Sequence, residues 1–191
     1  AYEPFLAEPE PMESPALSMA NTSKDSIKTR LIAFLVADGV NADSVNTVKE
    51  ALVQQGAMVH IIAPRLGTVV SANDESIAVN QSFLTAASVL YDAVYIPAGT
   101  NAVATLESNP DAVHFVNEAF RHCKAIAADA GAVQVLKATY FGRKINEQNP
   151  EASHEEGVII SANKKQLAAD FINAVKNHRF WEREKSRKIP A

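Results

Sequence analysis

Apolar and polar positions alternate along this chain in two periods. Leu31 to Ala37 is an unbroken apolar run, the signature of a central parallel strand buried on both faces. Asn41 to Gln55 changes to helical spacing, with Val45, Val48 and Leu52 on one face and Gly56 placed to end it. Met58 to Ala63 predicts a second strand, stopped by Pro64. Thr68 to Ala72 and Ser76 to Val79, parted by Asn73-Asp74-Glu75, predict a small hairpin. Tyr91 to Ile96 reads as a core strand ending at Pro97-Ala98-Gly99. Asn109-Pro110 then supplies an N-cap with proline at the first helical position. The helix it opens carries Val113, Val116, Ala119, Phe120 and Cys123 on one stripe. Ala125 to Ala128 is a further strand, Arg143 to Glu156 a polar excursion, and Val158 to Ser161 a last strand. A helix from Lys164 to about Arg179 shows Ala168, Phe171, Ile172 and Val175 at helical spacing.

Strands alternating with helices predict an α/β fold, a doubly wound and mostly parallel sheet, with any ligand site beyond the carboxyl ends of its strands. The residues expected at that edge are Asp38 to Asp43, Pro97 to Thr100 and Asp129 to Gly131. Ala1 to Arg30 has a different composition. It holds Pro4, Pro9, Pro11 and Pro15, no glycine, and Glu3, Glu8, Glu10 and Glu13. Proline fixes φ and removes donors, which predicts an extended segment. Residues 1–30 therefore read as a linker or arm and 31–191 as the folded domain with a C-terminal tail. A solvated spacer has little use for Tyr2, Phe5, Leu6 and Leu17, which suit an arm lying on a partner surface.

The chain has 191 residues and a net charge of −4, with no basic field for nucleic acid. Its apolar runs are too short to span a bilayer, so no membrane partner is expected. One cysteine excludes an internal disulfide and a cysteine-based metal cluster. The absence of an initiator Met and of a signal-peptide pattern reads as a piece of a longer polypeptide.

The stretch Lys124 to Leu136, KAIAADAGAVQVL, has the strand, sharp turn and helix that raise a nucleophile over a sheet edge. The turn, however, reads Asp129-Ala130-Gly131, and Ala130 has no nucleophilic atom. The loop after the first strand, ADGVNADS, has one glycine and cannot be a phosphate cradle or a dinucleotide fingerprint. Cys123 reads as a small buried hydrophobe on its helix. His60, His114, His122, His154 and His178 are scattered, without ligand spacing. Asp38 and Asp129 at strand ends could hold a hard cation or serve as turn formers and helix caps, the latter being the commoner use.

The segments RLIAFLVADGV, YDAVYIPAGT and KAIAADAGAVQVL resemble, in order and spacing, the core of the class I glutamine amidotransferase-like proteins, especially the PfpI-type proteases and their chaperone relatives. The resemblance implies a flavodoxin-like sheet in which an acidic residue after the first strand supports a cysteine at the elbow. The matching positions are Asn41 and Ala130, so both are degenerate and no catalytic, cofactor-binding or metal residue is carried over. SPALSMAN at Ser14 to Asn21, TRLIAFLVADGV and the closing NHRFWEREKSRKIPA are similar to the C-terminal region of the large-subunit haem catalases.

That similarity implies haem and hydrogen peroxide breakdown in an upstream domain and no cofactor in this fragment. The implied partners are the catalase core and neighbouring subunits of a tetramer, unfolded client proteins, or a second copy. A bacterial source implies the cytoplasm, a fungal one secretion. The readings in order are a non-catalytic accessory domain, an ATP-independent chaperone, and a PfpI-like small-molecule hydrolase or deglycase.

Overall fold

The computed structural model describes residues 14–146 and 157–185. Its elements, in chain order, are β1 (Leu31–Leu35), α1 (Ala42–Gln54), β2 (Met58–Ala63), β3 (Gly67–Val70), β4 (Ser76–Val79), β5 (Gln81–Ser82), β6 (Ala93–Ile96), α2 (Thr100–Ser108), α3 (Pro110–Arg121), β7 (Ala125–Asp129), α4 (Val133–Lys137), β8 (Val158–Ser161), α5 (Lys164–Lys176) and α6 (Glu182–Lys185). Six strands form one parallel sheet in the order β5-β2-β1-β6-β7-β8. Without the short edge strand β5 this is the flavodoxin-like order. The winding direction reverses between β1 and β6, which makes the space beyond their carboxyl ends the expected ligand position. β3 and β4 form the separate antiparallel hairpin that the pattern predicts.

β6 and β7 are buried along their whole length, as two-sided burial in a parallel sheet requires. α1 packs with α5, while α2 packs with α3 and α4. Right-handed crossovers place these two helix groups on opposite faces. Three helices start on an asparagine whose Oδ1 accepts backbone N–H groups: Asn41 from Ser44, Asn109 from Asp111 and Ala112, and Asn163 from Lys165 and Gln166. Each such cap is worth about 1 kcal/mol over alanine.

Several boundaries differ from the sequence reading. The β1 ladder stops at Leu35, although Val36 N–H still donates to Ile62 O at 2.8 Å and Val36 and Ala37 remain buried. Tyr91 lies before β6, closing a single 3₁₀ turn over Ser88–Leu90. α2 carries no predictive signal. It starts on Gly99 without a capping side chain and buries only Ala102, Val103 and Leu106. In α3 the inward side chain is Phe115, with Val113 half-buried.

Cys123 is not on that helix. It follows the C-cap His122 at φ +58° and is buried, 1% exposed. α5 ends at Lys176, because His178 takes φ +65° and turns the chain across the sheet. Packing also reaches back before Leu31. Ile27 sits in the core and Thr29 N–H donates to Gly56 O at 2.8 Å. No helix among the described residues is long and apolar enough to cross a membrane.

Candidate functional site

The carboxyl edge brings the predicted loops together around Ala98. Asn41 N–H donates to Ala98 O at 2.8 Å, and Ala98 N–H donates to an Asp129 carboxylate oxygen at 2.8 Å. On the other side, a Cβ placed on Gly131 would lie 3.4 Å from the Ala98 methyl group. Asn41 on one side and Asp129 and Gly131 on the other thus meet the same turn at Ala98. The side chains are occupied differently. Asn41 Oδ1 caps α1, and Ala130 offers a methyl group.

Asp129 is 4% exposed. Its second oxygen accepts the Tyr95 hydroxyl at 3.1 Å, and that hydroxyl also lies 3.3 Å from Ser44 O. Burial, followed by the neighbouring Asp129, pushes the Tyr95 phenol upward, so it is a neutral donor at any physiological pH. Ser44 Oγ is buried and has no hydrogen-bond partner among the described residues. The carboxylate beside the elbow is therefore consumed in tying β6, the turn before α2 and β7 to one another.

Asp38 is used elsewhere. It accepts Val70 N–H at 2.9 Å and the Arg65 guanidinium at 3.0 Å on the surface. Neither aspartate caps a helix through its side chain, which corrects the cap reading. Their observed role is to fasten loops. Among the described residues no group of three or more His, Cys, Asp or Glu side chains is arranged to hold a metal ion.

The amino edge holds a second polar cluster, which the sequence reading missed. Arg30, Asp92 and Lys124 directly precede β1, β6 and β7, and a charged residue abutting a buried strand was the available signal. Asp92 accepts Arg30 Nη1 at 3.2 Å and Leu31 N–H at 2.9 Å, and His178 Nε2 lies 3.5 Å away. Lys124, 2% exposed, donates from Nζ to Ser88 O at 2.6 Å. Burial, aided by Arg179, lowers its pKa to about 8.

The C-terminal segment crosses this edge as a strap. Phe180 N–H donates to Cys123 O at 2.8 Å and Arg183 Nη1 to Lys124 O at 2.8 Å. The Arg183 guanidinium stacks 4.3 Å from the Phe120 ring centroid. The strap covers the region around Cys123. Native protein should therefore react with a thiol reagent at least tenfold more slowly than urea-unfolded chain. Equal rates would return Cys123 to the list of candidate nucleophiles.

The remaining predicted histidines do not converge. His60 Nδ1 lies 3.3 Å from the Tyr91 hydroxyl, and His114 and His122 line a groove beside α3. His154 lies outside the described residues, as do Tyr2, Phe5 and Leu6.

Comparison with known proteins agrees with this geometry. A family profile described as the C-terminal domain found in long catalases matches residues 28–185. Catalase HPII of Mycobacterium avium is 37% identical over 175 residues, covering 89% of this chain and 25% of the relative. Catalase HPII of Pseudomonas aeruginosa is 31% identical over 184 residues, covering 96% of this chain and 24% of the relative. The chain thus spans about a quarter of the length of the curated relatives it matches. A solved two-domain protein from Anabaena variabilis, with DJ-1/ThiJ/PfpI-like and ferritin-like domains, superposes with a TM-score of 0.54 at 27% identity. That match covers 57% of this chain and 33% of the other.

Proposed function

Because the chain belongs to the family of C-terminal domains found in long catalases, we propose that it is a non-catalytic accessory domain, and that peroxide breakdown and its haem reside in the upstream part of the parent polypeptide. The observation that carries this reading is the elbow. Covalent catalysis there needs a nucleophile with a base held close. Ala130 supplies neither, and the adjacent carboxylate is bound to Tyr95 and Ala98. Among the described residues, His114, His122, Tyr95 and Cys123 do not fit a haem. His114 and His122 stand exposed on the flank of α3, while Tyr95 and Cys123 are enclosed by packed side chains.

The domain's role in this reading is to stabilise a tetrameric parent. Deleting it from the parent chain should leave peroxide turnover per haem within about twofold while lowering the temperature of subunit dissociation. An unchanged assembly and heat resistance would remove the role. A second reading, a holdase for unfolding clients, is favoured by the exposed apolar side chains Leu84, Val89 and Leu90. It predicts that the isolated chain suppresses heat aggregation of an unrelated protein without ATP at near-stoichiometric ratio. Aggregation that proceeds unchanged would exclude it.

A further inference from the structure

The strap, residues 177–184, leaves α5 and crosses the amino ends of β7 and β8 without adding a strand to the sheet. It is held at three places. Phe180 N–H donates to Cys123 O at 2.8 Å, and Arg183 Nη1 to Lys124 O at 2.8 Å. The Arg183 guanidinium stacks 4.3 Å from the Phe120 centroid and 5.2 Å from that of Phe180. The Phe180 ring sits on Gly157 so closely that a Cβ there would overlap it. The strap turns at His178, whose φ of +65° ends the line of α5.

Charge collects at the same turn. Asp92, just ahead of β6, lies 3.5 Å from His178 Nε2 and 3.2 Å from Arg30 Nη1. Arg179 and Arg30 oppose a charge on the imidazole, and Asp92 favours it. Lys124, just ahead of β7, feels the same Arg179 and Asp92. Among the described residues the turn already sets three cations, Arg30, Lys124 and Arg179, against Asp92. His178 Nδ1 is buried with no hydrogen-bond partner among them, so a proton placed there finds no acceptor. The closed strap requires a neutral ring, whereas a ring released into water can take up the proton.

We propose that residues 177–184 are an acid-operated latch: in mild acid they swing out about His178 and bring Cys123 and the amino edge into solvent while β6 and β7 stay folded. Opening releases the Phe180–Cys123 and Arg183–Lys124 hydrogen bonds and the stack on Phe120, but no rung of the sheet. A segment with so few ties opens at a lower free energy than the strands it covers. A closed ring that titrates at about 4 and a hydrated one at about 6.5 raise the opening equilibrium about twentyfold between pH 7 and pH 5.

Native-state hydrogen exchange on the 191-residue chain tests the latch. The Phe180 amide, with its rate divided by the intrinsic rate at each pH, should lose about twentyfold in protection from pH 7 to pH 5. The Ala127 amide of β7 should stay roughly a hundredfold better protected at both. Cys123 labelling by a disulfide reagent active in acid, taken relative to free cysteine, should quicken by the same factor as Phe180 exchange. His178→Asn should hold Phe180 protection constant over this range. Gly157→Ala, whose methyl group displaces the Phe180 ring, should unlatch the strap already at pH 7 with Ala127 still protected. Equal protection of Phe180 and Ala127 at pH 5 overturns the proposal, because the strap then opens only with the whole fold. So does a Phe180 amide whose corrected rate ignores pH, or one that keeps its acid response in His178→Asn.

Discussion

Replacing Gly99 by alanine is expected to lower the unfolding free energy by about 3–5 kcal/mol, a large share of the roughly 5–15 kcal/mol typical of a folded domain. Gly99 takes φ +139°, a region that a Cβ disfavours. A Cβ there would also clash directly with the backbone. It would lie 2.4 Å from Gly39 O, 2.7 Å from Val40 Cα and 2.9 Å from Asn41 N. Backbone cannot swing aside as a side chain can, so the β1 loop must separate from the turn before α2. That movement breaks the Asn41 N–H to Ala98 O bond and the seam between β1 and β6. Gly67 is the matched control, with φ +107° but nothing within 4 Å of the added carbon. Its alanine variant should lose about 1 kcal/mol, from backbone strain alone. Urea unfolding followed by circular dichroism reads both. Equal losses at the two positions would mean that close approach adds nothing at Gly99.

The second large effect is a loss of stability in mild acid centred on His178. His178 is 8% exposed, and its Nδ1 is buried without a hydrogen-bond partner among the described residues. Burial, then Arg179 and Arg30, lower its pKa to about 4, against the opposing pull of Asp92. An unfolded histidine has a pKa near 6.5, so the unfolded chain takes up the proton first as pH falls. The stability contributed by the neutral ring is whole above about pH 6.5 and is gone below about pH 4. A gap of about 2.5 pH units corresponds to about 3 kcal/mol in total, about 2 of it lost by pH 5.

Asparagine tolerates the positive φ of this position and does not titrate. His178→Asn should therefore remove about 2 kcal/mol from the difference in unfolding free energy between pH 7 and pH 5. The carboxylates that titrate in both proteins cancel in the comparison. A variant with the same pH slope as the parent sequence would show that His178 is not the sensor.

The core of the fold was legible because its signals are local and redundant. Leu31 to Leu35 and Ala125 to Ala128 are continuous apolar runs, and Asn109-Pro110 announces a helix start by two independent means. α2 was illegible for the opposite reason, being short, uncapped by a side chain and stabilised by tertiary contact with α3 and α4. At the candidate site, the strand ends marked the edge loops and the strand, turn and helix of Lys124 to Leu136 marked the elbow, while only the correspondence of Asn41 and Ala130 came from the resemblance. It could not show that Asp129 is spent on Tyr95 and Ala98, since that pairing joins residues 34 and 31 positions apart. The αL conformation at Cys123 was hidden too. The last positions of an apolar stripe look the same whether the helix continues or breaks.

Asn41 binds Ala98 O through its N–H and caps α1 through Oδ1, so the start of α1 limits what can replace it. The resemblance puts an acid at this position and a nucleophile at that of Ala130. Aspartate at 41 would keep an Oδ1 able to hold Ser44 N–H, and the cap would survive. Glutamate would carry its carboxylate one methylene further out and give up that cap, a loss on the order of 1 kcal/mol. The helix start thus tolerates the shorter acid and penalises the longer one.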